Sequence, residues 1–470
     1  MVPAGTMKIT PYGAAGGDVT GSAYLVETSE AKILVDCGLF QGGKEAEAKN
    51  QAPVVPRAQD LDAVLLTHGH LDHTGRLPLL TMAGFKGPIH ATPATIEMTG
   101  LILRDSAKVQ AQDLERHNRK RARAGEPSLA PLYTHDDVER LLEHLRPAPY
   151  HDPFPVAPGI RACMVEAGHM LGSVSLQLLF EDEGRERAVV FSGDLGPLGA
   201  PILRDYEPFC RADAVVLEST YGNRDHRPFR ETVEQFVGVL QQAVADRGKV
   251  LVPTFAVGRA QVLTMLLASV FRKGLVKPFP VFLDSPMAIE ASRIYQRHLE
   301  LFDDEMLDFL REGSIERDLA TLQLTATADE SKKINDVSGP CVVMAGAGMC
   351  NAGRILHHLK QNLWRPETHV VIVGYQAHGS LGRLLVEGEQ RVSIHGEKIA
   401  VKGKVHTLGG FSAHAGQTDL LNWFAALAPS RPQVVLTHGE DEPRRALARK
   451  IQQAHGIEAS LPKLEQTMTI

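Results

Sequence analysis

THGHLDHTG, residues 67–75, sets three histidines and an aspartate within six positions, from His68 to His73, directly behind the apolar run AVLL. A buried strand has no use for such side chains, so the donors must serve something at its end. His68-x-His70 places two imidazoles on the same side of an extended turn, where both can grip one ion. Asp72-His73 follows at once with a carboxylate and an imidazole able to face a second ion. One tetrahedral site cannot take all four and keep a water, so the cluster points to two metals.

RERAVVFSGDLG repeats the design, a β-branched run with an aspartate, Asp194, just past its end. Asp36 closes another such run, KILVDCG, and Glu218 a further one, ADAVVLESTYG. MKITPY (7–12) and SAYLVE (22–27) also read as strands, and the glycine-rich GAAGGDVTGS between them reads as a hairpin turn. That stretch has neither the Lys-Ser/Thr of a P-loop nor the G-x-G-x-x-G order of a dinucleotide fold. From about residue 229 the pattern changes to helices such as RETVEQFVGVLQQAVADRG alternating with single buried strands: KVLVPTF, PVFLD, GPCVVMAG and THVVIVGY. Alternation of this kind predicts βαβ units and a parallel sheet. After about residue 405 the first style returns. An α/β domain is therefore expected inside another domain, with boundaries at 1–221 and 406–470 for the outer domain and 222–405 for the inserted one.

The bulk properties agree with an ordinary globular chain. It has 470 residues, 43% hydrophobic and 23% charged, with a net charge of −6. No run reaches the roughly 18 apolar residues of a membrane span, and the first residues lack a signal-peptide pattern, so a cytoplasmic protein with no membrane partner is expected. The five cysteines are scattered and never spaced C-x-x-C, which argues against disulfides and cysteine-ligated zinc. The one basic run is ERHNRKRARAG, 115–125. Its plain reading is a solvated helix end or loop, and a substrate-facing role is the alternative.

THGHLDHTG resembles the signature of the metallo-β-lactamase fold, an αββα sandwich with its metal site at strand ends. That fold hosts thioesterases, lactamases and nucleases, so the signature alone does not choose a chemistry. The inserted domain narrows the choice. LESTYGNRDH (217–226), VPTFAVGRAQ (252–261), FLDSPMA (282–288), GAGMCNAGRILHH (346–358), GYQAHGSLGR (374–383) and FSAHAGQ (411–417) resemble motifs of the β-CASP ribonucleases over essentially the whole chain. The branch is similar to the cleavage-and-polyadenylation endonuclease subunit and its bacterial and archaeal relatives; the DNA-repair branch typically has valine where this chain has His438. The sequence departs from the pattern at His378 and Ser380, read as a tolerated surface residue and a retained hydroxyl, and at Ala347, where relatives often carry serine.

The resemblance implies two Zn2+ per chain, with manganese also chemically admissible. His68, His70 and His169 would hold one ion and Asp72, His73 and His438 the other, with Asp194 shared. It places Asp72, His414, Glu218 and Asp36 among the catalytic residues: His414 as proton donor, Glu218 as its holder, and Asp36 orienting a ligand. Arg259, Arg354, Ser380 and Arg383 are candidate substrate contacts, with structural ion pairs as the plain alternative for the arginines. The implied activity is hydrolysis of single-stranded RNA by a zinc-bridged hydroxide, mainly endonucleolytic, with 5′–3′ exonuclease action as an addition. A thioester hydrolase, a DNA nuclease and a non-catalytic RNA-binding paralogue are the alternatives. Relatives often dimerise, which leaves a homodimer open.

Overall fold

The computed structural model describes residues 6–182, 184–376 and 379–470. His378 lies outside the described residues. The chain forms two compact units, one of Met1–Gly199, Arg204–Asp225 and His414–Ile470, the other of Ala200–Leu203 and His226–Ala413. Among the described residues no helix is long and apolar enough to cross a membrane.

The first unit holds two seven-stranded sheets. Alternation along their strands decides which side chains meet. Ile33 and Val35 face the space between the sheets, where Val189, Phe191 and Val216 of the second sheet meet them. The intervening Leu34 turns outward to helix residues Leu80, Leu103 and Val138. On the second sheet Val190, Val215 and Leu217 turn out to Trp423, Phe424 and Leu447. The layers are therefore helix, sheet, sheet, helix. The glycine-rich stretch 13–22 joins the antiparallel strands Lys8–Gly13 and Ala23–Glu27 as a turn.

The second unit is built on a six-stranded sheet whose paired strands all run parallel. Its four central strands, Lys249–Pro253, Val281–Leu283, Cys341–Ala345 and His369–Ile372, are buried throughout because both faces are covered, whereas the edge strands Leu322–Leu324 and Lys404–Thr407 are partly exposed. Val250, Val252 and Val281 pack on one side with Phe236 and Leu263, whereas Leu251, Phe282 and Val343 pack on the other with Ile355 and Leu359. Strand Lys404–Thr407 pairs with His369–Ile372 in this sheet, so the second unit continues through His406 and Thr407.

A buried polar knot sits at the end of strand Val281–Leu283. The fully buried Asp284 accepts hydrogen bonds from Thr325 Oγ1 at 2.8 Å, Ser331 Oγ at 2.6 Å and Arg354 Nη1 at 2.7 Å, and lies 2.7 Å from His358 Nε2. Burial alone would raise its pKa, but His358, Ser331, Thr325 and Arg354 together hold it at about 2. A carboxyl with a depressed folded pKa stabilises the fold above its unfolded value near 4 and loses that contribution as pH falls towards 2. Asp284→Ala is expected to cost about 3 kcal/mol by stranding buried partners. Thermal melts should show the gap between variant and wild type narrowing from pH 5 to pH 2.

Candidate metal centre

The site is assembled at strand ends of the first unit. Strand Ala63–Leu65 delivers Thr67, His68 and His70, and the short helix Leu71–Thr74 carries Asp72 and His73. Asp194 lies beyond strand Arg185–Phe191, and Glu218 ends strand Ala214–Glu218. His438 follows strand Gln433–Thr437. Asp36 and His438 both have left-handed backbone, φ 59° and 50°. Non-glycine residues rarely adopt it, and such strain clusters where a side chain must be aimed.

Asp194 is the hub. Its Oδ2 stands 3.6 Å from His68 Nε2, 3.4 Å from His73 Nε2 and 3.7 Å from His169 Nε2, and its Oδ1 stands 3.6 Å from His438 Nε2. Ligand atoms of His68, His70, His169 and Asp194 form one tight group, and those of Asp72, His73 and His438 a second. The structure thus brings together all seven donors expected from sequence.

The donor set fits metal ions. His70 Nδ1 and His169 Nε2 are 3.1 Å apart, as are His73 Nε2 and His438 Nε2. Two imidazoles bound tetrahedrally to one zinc at about 2.0–2.1 Å would stand roughly 3.3 Å apart. Buried His68 Nε2 and Asp194 Oδ1 have no hydrogen-bond partner among the described residues. Burial drives His68 well below the usual imidazole range and His70 to about 4, so both rings are neutral at pH 7, the form that can bind a cation. Burial opposes charge on His73 and His438 as well. There the carboxylates prevail: Asp194 and Asp36 raise His73, and Asp194 and Asp72 raise His438. These carboxylates demand positive charge at the ring nitrogens.

The second atom of each ring fixes its tautomer. Thr67 Oγ1 donates its hydrogen to Asp36 Oδ2 at 2.9 Å, so it accepts from His68 Nδ1–H at 3.0 Å. Asp36 Oδ2 also takes His73 Nδ1–H at 2.7 Å. Thr220 Oγ1 donates to the His438 carbonyl at 3.1 Å and so accepts from His438 Nδ1–H at 3.2 Å. In all three rings the Nε2 lone pair is left for a cation. Sequence reasoning missed Thr67 and Thr220; their position beside a donor at a strand end was the only signal.

His414 stands beside both groups but belongs to neither. Its Nδ1 is 3.5 Å from Glu218 Oε1 and 3.8 Å from Asp194 Oδ2. Burial lowers its pKa, yet the Glu218 carboxylate outweighs this and lifts it to about 9. Glu218 is fixed by backbone donors, Leu195 N–H at 2.9 Å and Thr220 N–H at 3.2 Å. The result is an imidazolium held at the edge of the donor cluster, a quarter exposed.

Comparison with known proteins accords with this geometry. Residues 16–254 match the family model described as the metallo-beta-lactamase superfamily, 260–385 the Beta-Casp domain, and 398–462 the Zn-dependent metallo-hydrolase RNA specificity domain. The chain is 40% identical to Ribonuclease TTHA0252 of Thermus thermophilus, over 99% of this chain and 100% of that protein. The chain belongs to the β-CASP family of the metallo-β-lactamase superfamily. Among other β-CASP relatives, it is 31% identical to Transcription termination factor FttA of Cenarchaeum symbiosum, over 97% of this chain and 70% of that protein. A crystal structure of a protein of unknown function from Enterococcus faecalis shares the fold at TM-score 0.55 and 14% identity, covering 99% and 100% of the two chains.

The other residues singled out from sequence lie in the second unit of this β-CASP chain. The Arg354 guanidinium is engaged with Asp284 and with the carbonyls of Thr325 and Ala326. Arg259 Nη1 donates to the Val373 carbonyl. Buried Ser380 caps helix Leu381–Val386, its Oγ accepting from Arg383 N–H at 3.1 Å. Arg383 pairs with Glu387 at 2.7 Å on the surface.

Proposed function

We propose that this chain is a metal-dependent ribonuclease that cuts single-stranded RNA internally, loaded with two zinc ions. The observation that carries the reading is the Asp194 carboxylate set among four imidazole nitrogens with the His414–Glu218 pair beside it. A whole-length match to a protein named a ribonuclease supports the choice of polymer.

In this reading His68, His70 and His169 hold one ion, and Asp72, His73 and His438 the other, with Asp194 between them. When bound, the ions supply Lewis acidity to a phosphate oxygen and a water of lowered pKa. The protein's own groups do the rest. Asp36, Thr67 and Thr220 keep ligand rings in the binding tautomer. Glu218 orients His414 and keeps it charged, and His414 donates its proton to the departing 3′-oxygen as the P–O3′ bond breaks. Arg383, whose side chain is 39% exposed against 23% for Arg354, is retained as a phosphate contact.

The products follow from water as the nucleophile: a 3′-hydroxyl and a 5′-phosphate. Mass spectrometry of cleaved, unstructured RNA should find these ends alone. A 2′,3′-cyclic phosphate would mean that the 2′-hydroxyl attacks, and the assignment of His414 would fall with it.

A further inference from the structure

Helix Pro93–Arg123 starts against the metal loop and runs away from it. Thr92 Oγ1 and Thr95 Oγ1 each donate to the Gly172 carbonyl at 2.8 Å, three residues after His169. Met98 and Thr99 press on Gly69, between His68 and His70, so closely that a Cβ there would meet Met98 Cβ at 2.9 Å. None of the helix residues after Ala107 is buried. At 1.5 Å per residue, Arg116 stands about 25 Å along the axis from Thr99, and Arg123 about 36 Å.

The distal part of this helix is strongly cationic. Arg116, Arg119, Lys120, Arg121 and Arg123 lie within eight residues that contain no acid, in a chain of net charge −6. Four of them, Arg116, Arg119, Lys120 and Arg123, recur at i, i+3, i+4 and i+7 and so share one face. All four are exposed. The opposite face is used internally: Asn118 exchanges hydrogen bonds with Leu129 at 3.0 and 2.8 Å, and Arg121 donates to the Pro127 carbonyl at 2.8 Å. The following loop folds back over that side and leaves the cationic stripe to solvent. Arg116 pairs with Asp113, and Arg119 lies 3.8 Å from Glu115; both are exposed contacts worth little. Lys120 and Arg123 have no ion pair among the described residues. Helix-dipole stabilisation accounts for cations in the last turn, but it fades before Arg116 and Arg119.

We propose that the Arg116–Arg119–Lys120–Arg123 stripe is a second RNA-contact surface, which holds the phosphodiester backbone of a long substrate away from the metal centre. It rests on the ribonuclease reading above. The stripe offers charge but no aromatic or amide groups, so it reads phosphates and not bases, and its hold on RNA is independent of sequence and weakened by salt.

The test compares the metal-loaded wild type with a variant carrying Gln at positions 116, 119, 120 and 123, a residue with helix propensity close to those it replaces. The probe is a fluorescent unstructured RNA of roughly 30 nucleotides, ample at about 3.4 Å each to reach from the centre to the stripe. Anisotropy titrations across salt concentrations should show Kd raised at least about tenfold in the variant. The slope of log K against log salt should fall by about 3, near 0.7 for each lost contact. Hydrolysis of bis(p-nitrophenyl) phosphate, too small to reach the stripe, should be unchanged. Equal RNA affinity and equal slope in the two proteins would overturn the proposal, including the case in which an acidic protein is the true partner. A wild type that hydrolyses the small diester but neither binds nor cuts RNA would instead overturn the ribonuclease reading, and the proposal with it.

Discussion

Asp194→Ala is expected to strip the protein of most of its metal and to take RNA cleavage below detection. Asp194 stands within 4 Å of ring nitrogens from both donor groups, with contacts of 3.4–3.7 Å to His68, His73, His169 and His438. Its removal deletes a ligand from both candidate positions at once. It also removes the carboxylate that draws positive charge onto His73 and His438. Losing an outer partner of a ligand costs about 10–100-fold in metal affinity, and losing a shared ligand should cost more. Elemental analysis after dialysis reads the loss directly, and circular dichroism shows whether the sandwich survives. An Asp194→Ala protein that kept two ions and full activity would remove Asp194 from the centre.

His414→Ala should behave in the opposite way, with metal retained and turnover lowered. His414 lies outside both donor groups, and Glu218 holds it as an imidazolium with pKa about 9. A positioned general acid contributes about 10²–10⁴-fold, so kcat should fall by that factor while bound metal stays constant. A cleavage substrate with a much better leaving group than a ribose hydroxyl should recover most of the loss, because it needs little protonation. Loss of metal in this variant would make His414 a ligand instead.

These two residues also mark how far the sequence could be read. His68, His70, Asp72 and His73 announce themselves because donors crowd behind a buried strand. Their gathering with His169, Asp194 and His438 does not follow from spacing: His169 lies 99 residues from its ring partner His70, and His438 lies 365 from His73. Only the resemblance to a family supplied that order. Thr67 and Thr220 stayed hidden because a hydroxyl at a strand end looks like any other turn residue, and its role appears only once the ring nitrogen it meets is known. Arg354 looked like a phosphate contact beside a glycine-rich turn, yet the carboxylate it meets, Asp284, is 70 residues distant. Helix Pro93–Arg123 escaped as a single element because its outer half lacks a buried stripe, so no apolar period could extend it. The edge of the inserted domain was blurred for a related reason. His406 and Thr407 belong to a strand whose residues are at most half-buried, and pairing with His369–Ile372, not composition, assigns them to the sheet of the second unit.

The measurement that bears most directly on the central claim is metal content and polymer choice in a single preparation. Purified protein is analysed for bound metal, then incubated with end-labelled single-stranded RNA and with DNA of matching sequence. About two zinc per chain, internal cuts in the RNA and intact DNA are the expected result. Two metals with no cleavage of either polymer would contradict it, leaving the donor cluster in place but assigning it to a different substrate.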